Sequence, residues 1–235
     1  MIKSRAVLAG SLLVFAGAAS AEIAITPTLT SDYDFRGISQ TNGDPAFQLG
    51  VTYTGETGMY LGLWGSNVDF PVTPGEANAK TEIDVYAGYA GGDATEGWGY
   101  DVGAIYYSYP NQGKANYPEF YTGISRGAFS AKLWYSWNFA NSGDTSYYAD
   151  VNLNMPASDV FSVLFHIGYS GGEYWTADKP GRLGKYMDWS LGFGATVKDI
   201  TMAVKYVDGS DLNVNFPRNL GRVVFSLSTT LSSGD

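Results

Sequence analysis

The sequence predicts an all-β chain, a transmembrane antiparallel up-and-down β-barrel of about twelve strands. Three observations carry this. Apolar and polar residues alternate with a period of two along most of the chain, the signature of strands with two different faces. Charged residues make up only 16%, yet mean hydropathy is −0.11, with 18 Tyr and 30 Gly. A soluble domain carries about 25% charge, whereas a barrel in lipid pairs an apolar outer face with a polar inner one. Finally, the connections alternate between short and long, as expected when short turns occupy one rim and loops the other.

The elements follow in order. Lys3 and Arg5 precede an apolar run over residues 6–16, and the small residues Ala19, Ser20 and Ala21 stand before Glu22. This is the pattern of a secretory signal cleaved after Ala21, and the run is short of the ~20 apolar residues of a membrane anchor. Residues 1–21 are therefore expected to be removed, leaving 22–235 as one barrel domain in the bacterial outer membrane, reached through the periplasm. The chain contains no cysteine, which excludes a disulfide framework and a thiolate site. Its net charge is −9, and loss of Lys3 and Arg5 makes it more negative. Nucleic acid is a poor partner for such a chain, because phosphates repel it.

Strands are expected to start near Ile23, Asp44, Met59, Lys80, Trp98, Tyr117, Phe129, Ser146, Val160, Lys185, Ile200 and Leu220. Each runs near the ~9–11 residues that a tilted spanning strand needs. The stretch 82–89 shows the pattern: Ile83, Val85, Ala87 and Tyr89 on one face, Glu82, Asp84, Tyr86 and Gly88 on the other. Residues 129–139 and 146–155 repeat it. Tight turns fall at 55–58, 126–128, 156–159 and 197–199, and an intermediate one at 91–97. Longer loops fall at 71–79, 110–116, 170–184 and 208–219. An even strand number follows if both termini face the periplasm.

Aromatic residues on the apolar face cluster near strand ends. Tyr53, Tyr89, Trp98, Tyr100, Phe129 and Phe161 fall on the turn side; Phe35, Tyr106, Trp137, Phe139, Tyr147 and Tyr169 fall on the loop side. Two girdles flanking an aliphatic band mark the headgroup levels of a membrane. A soluble β-sandwich is the competing arrangement, but it supplies no reason for alternating loop lengths.

Several blocks carry a family likeness: SDYDFRGISQT at 31–41, PAFQLGV at 45–51, GMYLGLWGSNVDF at 58–70, EIDVYAGY at 82–89, DVGAIYYSYP at 101–110, EFYTG at 119–123 and YMDWSLG at 186–192. Together they resemble the TorF family of proteobacterial porin-like proteins over essentially the whole mature chain. The resemblance implies an outer-membrane barrel with a channel role. One departure is the C-terminus. Such barrels usually end on an aromatic residue that helps the assembly machinery recognise the last strand, whereas VVFSLSTTL ends here on Leu231 and is followed by SSGD.

Chemistry is sought on the polar face. His166 is the only histidine; a Ser-His-Asp arrangement needs it partnered, but Gly-x-Ser-x-Gly is absent, so an interior histidine bonded to its neighbours is expected and the chain is not expected to be an enzyme. One histidine and no cysteine argue against zinc. Asp32 with Asp34, and Glu82 with Asp84, each project to one side; such pairs suit calcium or a solvated wall, the latter preferred, and no cofactor is expected. The pore-lining candidates are Arg36, Glu82, Asp84, Asp101, Glu119, Lys132, Asp150, His166, Asp188, Lys205 and Arg222. Strand order would place Lys205, Arg222 and Arg36 on one flank, facing Glu82, Asp84, Glu119 and Asp150, a transverse field across a pore. Local pairing of Arg36 with Asp32 and Asp34 would cancel it. Inward rings at Tyr60, Trp64, Tyr86, Tyr107, Tyr121, Trp134 and Tyr148 fill space or form a stacking track.

The expected function is passive diffusion of small polar solutes, with selectivity set by lumen charge. The alternative is a non-conducting structural or surface-interaction barrel. Expected partners are outer-membrane lipid and lipopolysaccharide, small polar solutes and the barrel-assembly machinery.

Overall fold

The computed structural model describes residues 21–72, 77–178, 182–210 and 221–233. Residues 1–20 of the expected signal segment 1–21, parts of three long loops and the expected strand start at Leu220 lie outside them. Twelve antiparallel strands close into a barrel: β1 (Glu22–Thr30), β4 (Ala46–Thr54), β5 (Met59–Phe70), β6 (Ala79–Gly92), β7 (Gly99–Ser108), β8 (Tyr117–Arg126), β9 (Phe129–Ser136), β10 (Ser146–Pro156), β11 (Phe161–Gly171), β12 (Tyr186–Val197), β13 (Ile200–Ser210) and β14 (Arg222–Thr229). Two short strands, β2 (Asp34–Phe35) and β3 (Ile38–Ser39), form a separate hairpin, and β15 (Leu231–Ser232) continues β14 past Thr230. Each barrel strand pairs with its neighbour in sequence, and β1 pairs with β14 to close the cylinder, Leu29 opposite Leu227. Closure leaves no unpaired sheet edge, the condition for crossing hydrocarbon with strands.

The period of two becomes two surfaces. Outward positions carry exposed apolar side chains, such as Leu61, Val85, Leu133, Leu191 and Phe225. Inward positions carry the polar and aromatic ones. Tyr53, Trp98, Tyr100 and Phe161 stand exposed toward the turn side, and Tyr106, Trp137 and Tyr147 toward the loop side. At the turn 93–98, the backbone N–H and hydroxyl of Thr95 both donate to Asp93 (2.8 and 2.5 Å). These bonds hold the Asp93 carboxyl below its ordinary range.

Two expected girdle residues point the other way. β9 ends at Ser136, and Ala140 and Asn141 at φ 50° and 54° turn the chain inward. Phe139 is consequently buried against Tyr117, Tyr174 and Trp175. Phe35 lies edge-on to the inward Tyr107, because its segment enters the barrel instead of continuing the wall.

Glycine and tyrosine interlock across the inner wall. Tyr60 faces Gly88 and Tyr86 faces Gly62 in the β5–β6 register. A Cβ on Gly62 would lie 2.2 Å from the Tyr86 ring, and one on Gly88 2.4 Å from the Tyr60 hydroxyl. Each ring lies flat over the neighbouring strand only because that strand lacks a side chain there, so the glycine content serves packing as well as turns.

Candidate functional site

The inner wall and the segment that crosses it form the candidate site. The 31–45 connection between β1 and β4 runs into the barrel. At the tip of its β2–β3 hairpin, Phe35 pairs with Ile38 across Arg36 and Gly37, at φ 54° and 81°. A two-residue turn with both φ positive is the hairpin type that matches strand twist. Arginine adopts this region only at an energetic cost, which the contacts of its side chain offset. The Arg36 guanidinium makes a two-pronged ion pair with Glu119 on β8 (3.0 and 2.6 Å). It also lies over the rings of Phe35, Tyr148 and Trp134 at 4.6, 4.5 and 5.5 Å. The Tyr186 hydroxyl on β12 donates to the Arg36 carbonyl at 2.9 Å.

The other side of the hairpin is held from β14. Arg222 donates through Nε to Asp32 (2.5 Å), through one terminal nitrogen to the Gly37 carbonyl (2.9 Å), and through the other to Asp34. Asp32 also accepts from Ser39 and Thr41 (2.5 and 3.0 Å). The hairpin therefore spans the loop-side half of the lumen, fastened to β14, β12 and β8 and packed on β5 and β7 through Tyr33–Trp64 and Phe35–Tyr107.

Most remaining inward charged groups are hydrogen-bonded or paired nearby. Lys132 pairs with Asp101 at 2.7 Å, and Tyr60 donates to Asp101 at 2.5 Å. Asp150 accepts from Trp134 Nε1 (3.1 Å) and Asn152 (2.6 Å). His166 Nε2 lies 2.8 Å from Asp188 and 3.0 Å from the Tyr148 hydroxyl, and its Nδ1 lies 2.8 Å from Asn152. Both ring nitrogens are thus engaged by groups other than a serine hydroxyl. Glu82 accepts from Tyr109 (3.1 Å), but its Oε2 and the Asp84 Oδ1 are buried without a hydrogen-bond partner. Among the described residues no group of three or more His, Cys, Asp or Glu side chains could hold a metal ion.

The wall divides into two arcs. On β5–β9 the inward positions are nearly all buried, including Tyr60, Tyr86, Tyr107, Tyr117, Tyr121 and Trp134. On β11–β14, β1 and β4, which are contiguous because the barrel is closed, they are mostly Ser, Thr, Gly and Ala. Several there stay partly exposed: Thr26, Thr52, Ser162, Thr201, Ala203 and Ser226, with His166 and Lys205. β10 joins the two, with buried Tyr148 toward one end and partly exposed Asn152 toward the other.

This geometry corrects the expected charge map. Arg36 does not join Lys205 and Arg222 on a basic flank; it reaches across to Glu119, one of the acids it was expected to face at a distance. Asp32 and Asp34 do pair with an arginine, but with Arg222 instead of the adjacent Arg36. The reason is the inward hairpin, which carries Arg36 away from the wall. No alternation in sequence signals that inward course; the Arg36-Gly37 turn flanked by Asp34 and Ser39 is its only local mark.

The chain belongs to a family described as a bacterial protein of unknown function, Gcw_chp, whose model matches residues 16–231. No curated protein matches the sequence. Among solved structures, the NanC porin superimposes with a TM-score of 0.54 at 11% identity, over 88% of this chain and 98% of that one. An outer membrane channel from Pseudomonas putida F1 gives 0.51 at 8% identity, over 92% and 97%. At such identities the likeness is one of fold: a closed twelve-stranded porin-type barrel.

Proposed function

We propose that this chain is an outer-membrane channel for small polar solutes, exported through the periplasm after cleavage at Ala21 and inserted by the barrel-assembly machinery among lipid and lipopolysaccharide. It is not an enzyme in this reading, and its likeness to TorF sequences is part of it. The observation that carries the proposal is the contiguous open arc. Short hydroxyl and glycine residues on β11–β14, β1 and β4 leave water-accessible wall beside a packed one. Wall polarity and fixed charge, rather than a binding pocket, then decide what passes.

The pore-lining candidates divide accordingly. Lys205, His166 and Arg222 border the path. Glu82, Asp84, Asp101, Glu119, Lys132, Asp150 and Asp188 hold the wall or the hairpin, together with Arg36. The refolded 22–235 chain in a planar bilayer should give discrete current steps. A second reading, a non-conducting barrel, is favoured by the hairpin bridging the loop-side half of the lumen. A silent bilayer containing folded, heat-modifiable protein would establish it.

A further inference from the structure

We infer that Lys205 is the specificity-determining residue of the path, the group that meets the negatively charged part of a solute; this rests on the channel reading above. The other inward-pointing arginine and lysine side chains among the described barrel-strand and hairpin residues are already committed. Arg36 is held by Glu119, Lys132 by Asp101, and Arg222 by Asp32, Asp34 and a carbonyl. Lys205 projects inward from β13, between the outward Val204 and Tyr206, and is partly exposed. It makes no ion pair or hydrogen bond with any described residue. Asp34 lies within reach of its field, but Arg222 already binds that carboxylate. With no partner among the described residues and its side chain partly exposed, this ammonium leaves its charge to act on what passes.

Its position is built. Lys205 stands opposite Gly192 on β12, and a Cβ on Gly192 would lie 2.8 Å from the Lys205 Cγ and 2.2 Å from the Val204 carbonyl. Glycine there lets the lysine stem lie along the wall of the open arc instead of blocking it. On the nearly opposite wall, β6 presents Glu82 and Asp84, which have no cationic partner within ion-pairing distance among the described residues. They are buried behind Tyr109 and Tyr33, so among these described unmatched charges the accessible one is the lysine. The solute class that fits is small and anionic, a carboxylate among others.

The test is reversal potential in a potassium chloride gradient for wild type, Lys205→Gln, Lys205→Arg and Arg222→Gln, each first shown to be folded by heat-modifiable migration. One unit charge about 4 Å from a permeating ion in water weights its partition about fivefold. Lys205→Gln should therefore lower chloride partition and raise potassium partition about fivefold each, a fall of about 25-fold in the chloride-to-potassium permeability ratio, and Lys205→Arg should keep it. Acetate added to one side should reduce current through wild type and the Arg variant, but not through the Gln variant. Equal reversal potentials in conducting wild type and Lys205→Gln overturn the inference while leaving the channel intact. So does a shift seen only in Arg222→Gln. No conductance in any variant overturns the channel reading and this inference with it.

Discussion

The packed arc of β5–β9 and the open arc of β11–β14, β1 and β4 share one backbone plan, one period and one pair of solvents. They differ in what the inward positions carry. On the packed arc, rings lie over glycines and carboxylates are tied to hydroxyls or bases: Tyr60 to Asp101 and Tyr121, Tyr107 and Arg36 to Glu119. On the open arc, short side chains such as Thr201, Ala203 and Ser226 leave the wall to water. A barrel interior is filled either by its own side chains or by solvent, and here one lumen does both. The packed side supplies an anchor for the hairpin; on the open side His166 and Lys205 are partly exposed inward bases.

The sharpest way to break this contrast is to remove a buried partner. Glu119→Ala leaves the Arg36 guanidinium buried without its carboxylate, and breaking a buried pair in this way costs about 3–5 kcal/mol. The loss should appear as a lower urea midpoint for unfolding in detergent micelles. Second in size is a comparison across the wall. Val151→Lys places a charge on the lipid face and should destabilise by about 2–4 kcal/mol near the bilayer midplane. Ala203→Lys puts the same group into the wet arc and should show no comparable loss. Tyr60→Phe removes a hydroxyl that bonds both Asp101 and Tyr121, for about 1–2 kcal/mol. Ser226→Ala, on the open arc, should stay within about 0.5 kcal/mol. If Ser226→Ala and Tyr60→Phe destabilise equally, the two arcs are not different in kind.

The wall is largely legible in the sequence. Alternation at Glu82, Asp84 and Tyr86 against Ile83, Val85 and Ala87 assigns each residue to a face, because one register error would invert them all. The short turns at 55–58 and 126–128 then fix antiparallel order. What alternation does not reveal is anything that leaves the wall. Phe35 and Phe139 satisfy the parity of an outer girdle, yet both turn inward where positive φ values redirect the chain. The Arg36–Glu119 pair links residues 83 positions apart. Its formation depends on how far a hairpin reaches across a cylinder, a quantity no local pattern contains. Strand order sets Lys205 almost opposite Glu82 and Asp84, but only the contacts show that Arg36, Lys132 and Arg222 are each held by a carboxylate.

Single-cysteine labelling in the bilayer tests most directly whether solutes move along the open arc. The chain has no cysteine, so Ser226→Cys and Ser136→Cys each introduce one thiol at a serine-sized inward position, one partly exposed and the other fully buried on the packed arc. A small charged thiol-reactive reagent added to conducting channels should reduce current stepwise through Ser226→Cys and leave Ser136→Cys unchanged. Current loss at Ser136→Cys with none at Ser226→Cys would place the path on the packed side of the lumen instead.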